Sequence, residues 1–178
     1  GTEGTLGIIT EAHLRVTSPP EPSTVLILGI QDLENILPVF EWMSKKTKIN
    51  AFEMFTEQAL QIVLQQVSFG APLKKPHKYY LLVECETAND SDLDHLMECF
   101  ETMTDREWVQ DGVISQSETQ ASQFWSYRER ISESLAPQMP HKNDISVPIS
   151  KIPEFLQAID QLVATKYPGL QVIWFGHI

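Results

Sequence analysis

Arg128 stands where the surrounding sequence asks for an apolar residue. At about 100° per residue, a helix read from Glu118 to Leu135 places Ala121, Phe124, Ile131 and Leu135 in one apolar stripe. Arg128 falls inside that stripe and Arg130 on the opposite side. Burying an unpaired guanidinium costs on the order of several kcal/mol, so Arg128 must either pair internally with a carboxylate or line a polar pocket. Ser132, one turn later, and Trp125 share its flank.

A second cation, Lys142, opens the run Lys142-Asn143-Asp144-Ile145-Ser146-Val147-Pro148-Ile149, which alternates with period two. As a strand it sets Asn143, Ile145, Val147 and Ile149 on one face and Lys142, Asp144 and Ser146 on the other. That polar face is either simply solvated, or a Lys–Asp pair that holds an ammonium towards an anionic ligand. His177 follows Gly176 at the end of an apolar strand pattern; alone, it reads as structural or solvated, and His13, His77, His95 and His141 show no metal-ligand spacing. The opening phrase, Gly1 to Thr10, places Gly1, Gly4 and Gly7 ahead of a β-branched strand pattern. Glycines there permit positive φ and close approach of a ligand to the backbone, although spacing alone equally describes a plain hairpin.

The elements that must position these residues follow from hydrophobic period. Three blocks repeat the order strand, helix, strand. The first runs through a strand at Thr24 to Ile30, a helix after Asp32 and a strand at Asn50 to Phe55. Pro38 argues that its helix is kinked or starts later than Asp32. Thr56 then caps a helix carrying Ala59, Leu60, Val63 and Leu64, and Phe69 to His77 reads as a loop. The second block has strands at Lys78 to Thr87 and Gly112 to Ser117 around a helix from Asp90 to Met103. The third has strands at Lys142 to Ile149 and Leu170 to Phe175 around a helix from Ile152 to Lys166. Split units of this kind predict an α+β fold: ferredoxin-like halves, an antiparallel or mixed sheet, and helices on one face. No strand is followed by a glycine-rich phosphate turn, so a doubly wound parallel sheet is disfavoured.

Composition narrows the function classes. The 178 residues carry 13 Lys and Arg against 24 Asp and Glu, a formal net charge of -11, which argues against a nucleic-acid or anionic-membrane surface while leaving room for a basic pocket inside an acidic shell. Cys85 and Cys99 form no C-x-x-C pair and read as buried reduced thiols. No apolar run approaches the length of a membrane span. The chain opens without Met and stops directly after a strand pattern, so part of the site is expected outside it.

Four segments, in order, carry a resemblance: Gly1 to Thr10, Phe124-Trp125-Ser126-Tyr127-Arg128-Glu129-Arg130-Ile131-Ser132, Lys142 to Lys151, and Phe175-Gly176-His177-Ile178. Together they resemble the FAD-linked oxidases, flavoproteins of the vanillyl-alcohol oxidase type, in the branch of D-lactate, glycolate and D-2-hydroxyglutarate dehydrogenases. The resemblance implies that residues 1–17 close an FAD-binding domain, 18–23 link, and 24–178 form a substrate domain truncated at its C-terminus. It implies that Gly4, Gly7 and Ile9 lie against FAD, that Arg128, Lys142 and Ser132 bind the substrate carboxylate, and that His177 ligates a divalent metal, with zinc, manganese and iron all open. Relatives often have threonine where this chain has Ser132.

The reaction so implied is dehydrogenation of a D-2-hydroxy acid to the 2-oxo acid, with the general base beyond Ile178 and the isolated chain inactive. An electron acceptor such as a quinone or an electron-transfer flavoprotein is implied, and a homodimer is allowed. The location implied is cytoplasmic, with peripheral membrane attachment left open, or mitochondrial in a eukaryote. Two other readings stand beside it: a non-redox flavoenzyme like alkyl-glycerone-phosphate synthase, against which Lys142-Asn143-Asp144 and the terminal Gly-His argue, and a ferredoxin-like binding or regulatory module without flavin.

Overall fold

In a computed structural model of the chain, which describes residues 3–19 and 21–178, the longest apolar runs become the central strands of one sheet. Gly1 and Thr2 of the opening phrase and Pro20 of the linker lie outside the described residues. The strands are β1 (Ser23–Ile30), β2 (Ile49–Thr56), β3 (Tyr79–Glu86), β4 (Asp111–Ile114) and β5 (Phe175–His177). They lie in the order β4-β1-β3-β2-β5, and every neighbouring pair is antiparallel. Helix α1 (Ile36–Lys46) connects β1 to β2 across β3, and α3 (Asp90–Asp105) connects β3 to β4 across β1. Two interlocked split units of this kind are the ferredoxin-like arrangement that the sequence predicts.

The expectation of helices on one face is corrected by a second helical layer. Leu26, Leu28, Met54, Leu81 and Val83 pack with α1, α3 and Leu156 of α6 (Ile152–Lys166). Val25, Ile27, Phe55, Tyr80 and Leu82 pack with α2 (Glu57–Leu64), α4 (Glu118–Glu129) and α5 (Ile131–Leu135). β1 and β3 are therefore buried on both faces, which is why they read as continuous apolar runs rather than as alternating ones.

Local chemistry sets the boundaries. α1 begins at Ile36, so Pro38 falls in its first turn, where a missing N–H costs no intrahelical bond. Asn89 and Asp92 form a reciprocal capping box at the start of α3, and Ser117 accepts from Gln120 N at 3.2 Å to start α4. The helix predicted from Glu118 to Leu135 has those outer limits but is interrupted at Arg130, whose ψ of -5° flattens the turn between α4 and α5. Both cysteines are buried and free, as expected, and burial pushes the Cys85 thiol up to about 11.

Three predicted strands differ. Lys142 to Pro148 takes no regular secondary structure and pairs with no strand, Ile149 opens a short 3-10 turn, and Ile145 and Ile149 are exposed. Pro140 and Pro148 bracket this stretch and withdraw donors from any ladder. The strand expected at Leu170 to Phe175 starts only at Phe175. The opening phrase forms no strand over its described residues, because this chain offers its exposed Leu6, Ile8 and Ile9 no partner.

The packing of the two layers leaves no room for a side chain at Gly29 in β1, where a Cβ would lie 2.5 Å from the buried ring of His77. Gly29→Ala is expected to cost about 1–3 kcal/mol in urea unfolding. Gly70→Ala, where a Cβ meets nothing within 4 Å, should cost well under that.

Candidate functional site

Glu53 lies in the middle of β2, in the run Ala51-Phe52-Glu53-Met54-Phe55, and is 5% exposed. Strand alternation sends it to the same face as Phe55, towards α4. A carboxylate so placed is costly unless its lone pairs are filled. Two side chains fill them. Arg128 Nε–H donates to Glu53 Oε2 at 2.6 Å, and His177 Nδ1–H donates to Glu53 Oε1. An ionised carboxylate can only accept, so His177 must carry its proton on Nδ1. The backbone prepares the second contact: Glu53 and His177 are direct partners in the β2–β5 ladder, and Ile178 N donates to Phe52 O at 3.0 Å.

α4 delivers Arg128 because its neighbours anchor it. Phe124 and Tyr127 are buried, and Tyr127 OH donates to Gly70 O at 2.7 Å. One turn before Arg128, Trp125 Nε1–H donates to Glu84 Oε2 at 2.8 Å, on the adjacent strand β3. The helix thus rests on two carboxylates of neighbouring strands. The Arg128 guanidinium carbon also lies 5.0 Å from the centroid of the Phe175 ring. Held by Nε and by that ring, Arg128 has a side chain 16% exposed, and Nη1 and Nη2 find no hydrogen-bond acceptor among the described residues. Of the two readings of its place in the stripe, the internal ion pair is the one the structure shows.

Ser132, in α5, and Lys142, in the irregular stretch that follows, form a second pair. Lys142 Nζ donates to Ser132 Oγ at 2.7 Å and to Ser132 O at 3.2 Å. Lys142 therefore reaches back to α5 rather than to Asp144, as its own strand face would have had it. The structure brings together Arg128 with His177, through Glu53, and Lys142 with Ser132. Ser132 follows Arg128 by four residues across the flattened turn at Arg130. Gly4, Gly7 and Ile9 lie apart in the exposed opening segment, where Gly4 has φ +76° and no atom stands within 4 Å of a Cβ at Gly4 or Gly7.

His177 is 86% exposed in its side chain, and with Nδ1 engaged its Nε2 is the nitrogen left for a ligand. Among the described residues there is no group of three or more His, Cys, Asp and Glu that could hold a metal ion. Sequence reasoning missed Glu53, although an acid inside a five-residue apolar run was a signal of the same kind as Arg128.

The pair is open to a direct test. Arg128→Met and Glu53→Leu each strand a charge, which should cost towards the low end of about 3–5 kcal/mol because Arg128 keeps some solvent contact. The double variant should lose far less than the sum, with a coupling of about 1–3 kcal/mol in urea unfolding. Additive losses would contradict the pairing.

Comparison with known proteins gives this geometry a family. The model for FAD linked oxidases, C-terminal domain, matches residues 19–178. A D-2-hydroxyglutarate dehydrogenase of Xanthomonas citri pv. viticola is 44% identical over 178 residues, all of this chain and 38% of that protein. The D-2-hydroxyglutarate dehydrogenase of Stutzerimonas stutzeri is 40% identical over 178 residues, again all of this chain and 38% of its own length. The mitochondrial D-2-hydroxyglutarate dehydrogenase of Bos taurus is 28% identical over 185 residues, covering 100% of this chain and 33% of that protein. The chain spans about two fifths of the length of the first two relatives. With its match running from residue 19 to residue 178, the chain belongs to the FAD linked oxidases, as their C-terminal domain.

Proposed function

We propose that this chain is the substrate-side domain of an FAD-dependent dehydrogenase that converts a D-2-hydroxy acid, of the D-2-hydroxyglutarate type, to the 2-oxo acid. The observation that carries this reading is Arg128: a guanidinium fixed at Nε in a shielded position with both Nη groups open. Such a fork matches a carboxylate in bidentate geometry, which a flexible ammonium does not. The names of the two bacterial relatives support the hydroxyglutarate type over lactate and glycolate. In this reading residues 1–17 complete an FAD-binding domain and 18–23 link it to the domain formed by 24–178.

Each residue then has a task. Arg128 clamps the substrate carboxylate through Nη1 and Nη2. Lys142, steadied by Ser132 Oγ, adds a second positive charge to the anion's surroundings. Gly4, Gly7 and Ile9 offer backbone to the flavin, and His177 offers Nε2 to a divalent cation. When bound, the flavin supplies acceptance of a hydride equivalent and the cation supplies polarisation of the substrate hydroxyl. A quinone or an electron-transfer flavoprotein is the class of acceptor proposed for the second half-reaction. No helix among the described residues is long and apolar enough to cross a membrane.

Steady-state kinetics of the intact flavoprotein on D-2-hydroxy acids test the assignment. Loss of a charge-assisted bidentate contact is worth roughly 2–5 kcal/mol, so Arg128→Ala should lower kcat/KM on the order of 30-fold to several thousand-fold. Arg128→Lys should recover only part, because the planar fork is gone. Arg130→Ala, at an exposed position two residues on, should cost little. Flavin content and melting temperature are measured on the same samples to exclude unfolding. A damaging Arg130→Ala beside a near-normal Arg128→Ala would overturn the assignment.

A further inference from the structure

β5 is only three residues long and lies at the edge of the sheet, yet its place is closely determined. Phe175, Gly176 and His177 pair with Phe55, Met54 and Glu53 of β2. Just before them, Trp174 O accepts from Thr56 N at 3.1 Å, and Trp174 Nε1–H donates to Asp160 Oδ1 of α6 at 2.8 Å. Alternation along an extended backbone sends neighbouring rings to opposite faces. Trp174 packs in the layer with α6, its ring centroid 6.3 Å from that of Phe155, and Phe175 packs in the layer with α4. The anchoring of Trp174 therefore fixes where Phe175 stands, which is against Arg128: the guanidinium carbon lies over the Phe175 ring, 5.0 Å from its centroid.

An aromatic ring suits this place better than another acceptor would. Glu53 already takes the Nε–H of Arg128, and a further carboxylate or carbonyl beside it would take Nη donors as well. The negative face of a ring attracts the charge without offering a lone pair, so it restrains the guanidinium and leaves the Nη donors unspent. An aliphatic side chain would fill the space but exert no such pull. We infer that Phe175 is a positioning residue for substrate binding: its ring holds the Arg128 guanidinium against β5, so that Nη1 and Nη2 stay free and directed at a substrate carboxylate. The inference rests on the carboxylate role proposed above for Arg128. Phe175 acts through Arg128 alone, and that makes its contribution measurable as a coupling between the two residues.

The test uses the intact flavoprotein and equilibrium binding of 2-oxoglutarate, followed by perturbation of the flavin absorbance, with flavin content and melting temperature measured on the same samples. Phe175→Leu keeps an apolar side chain but removes the ring, and should weaken 2-oxoglutarate by about 3- to 30-fold. Phe175→Tyr keeps the ring and should bind within about 2-fold of wild type. A pentafluorinated phenylalanine at position 175, installed by codon suppression, keeps the shape of the ring and empties its negative face. It should match Phe175→Leu, and it decides the matter if Phe175→Leu fails to fold. In an Arg128→Ala background, titrated at higher ligand concentration, neither replacement should weaken binding further. Wild-type affinity in Phe175→Leu or in the fluorinated protein, or a loss that persists undiminished without Arg128, overturns the inference while the role of Arg128 stands. Wild-type affinity in Arg128→Ala would instead remove that role, and the inference with it.

Discussion

The ion pair between Glu53 and Arg128 is the constraint on which the arrangement of this domain turns. A carboxylate in the middle of a buried strand is tolerable only if a cation reaches it, and the 2.6 Å bond from Arg128 Nε supplies that cation. To reach it, α4 must cross the sheet with one particular face down. Phe124, Tyr127 and the Trp125–Glu84 bond hold that face in place. The second oxygen of Glu53 then draws in His177, which ties the short strand β5 to β2 through side chains as well as backbone. Helix, edge strand and site thus share one anchor.

The second helical layer makes such an anchor possible. With α1 and α3 alone, one face of a ferredoxin-like sheet would meet water, and an acid on β2 would need no partner. By placing α2, α4 and α5 over that face, the chain buries Val25, Ile27, Phe55 and Leu82 and with them Glu53. Shielding from water strengthens the pairing and raises the penalty for breaking it. It also leaves polar chemistry at the margin of an apolar layer, where Arg128 and His177 keep an open edge and Lys142 reaches Ser132 on α5.

Much of this was legible in the sequence because period reports burial. The central strands were continuous apolar runs, and they are covered on both faces. The same runs could have shown that helices lie on two sides, an inference the repeat of split units obscured. Arg128 was conspicuous because a helix stripe has a clear centre. Glu53 was equally out of place among apolar neighbours, but a short strand offers fewer positions against which one charge stands out. The opposite error came at Lys142 to Ile149. Alternation there had the period of a strand, yet a strand also needs a partner edge, and β5 rather than this proline-bracketed stretch pairs with β2. Period two in an exposed segment records composition only. The Lys142–Ser132 contact is likewise a consequence of chain reversal after α5, which no local pattern encodes.

The most direct measurement is a crystal structure of the intact flavoprotein with a bound 2-oxo acid. The account predicts the ligand carboxylate within hydrogen-bond distance of Arg128 Nη1 and Nη2, with Nε still donating to Glu53 and His177 Nδ1 still on the same carboxylate. A ligand bound away from Arg128, or one that reaches Arg128 only by displacing Glu53 from Nε, would contradict it.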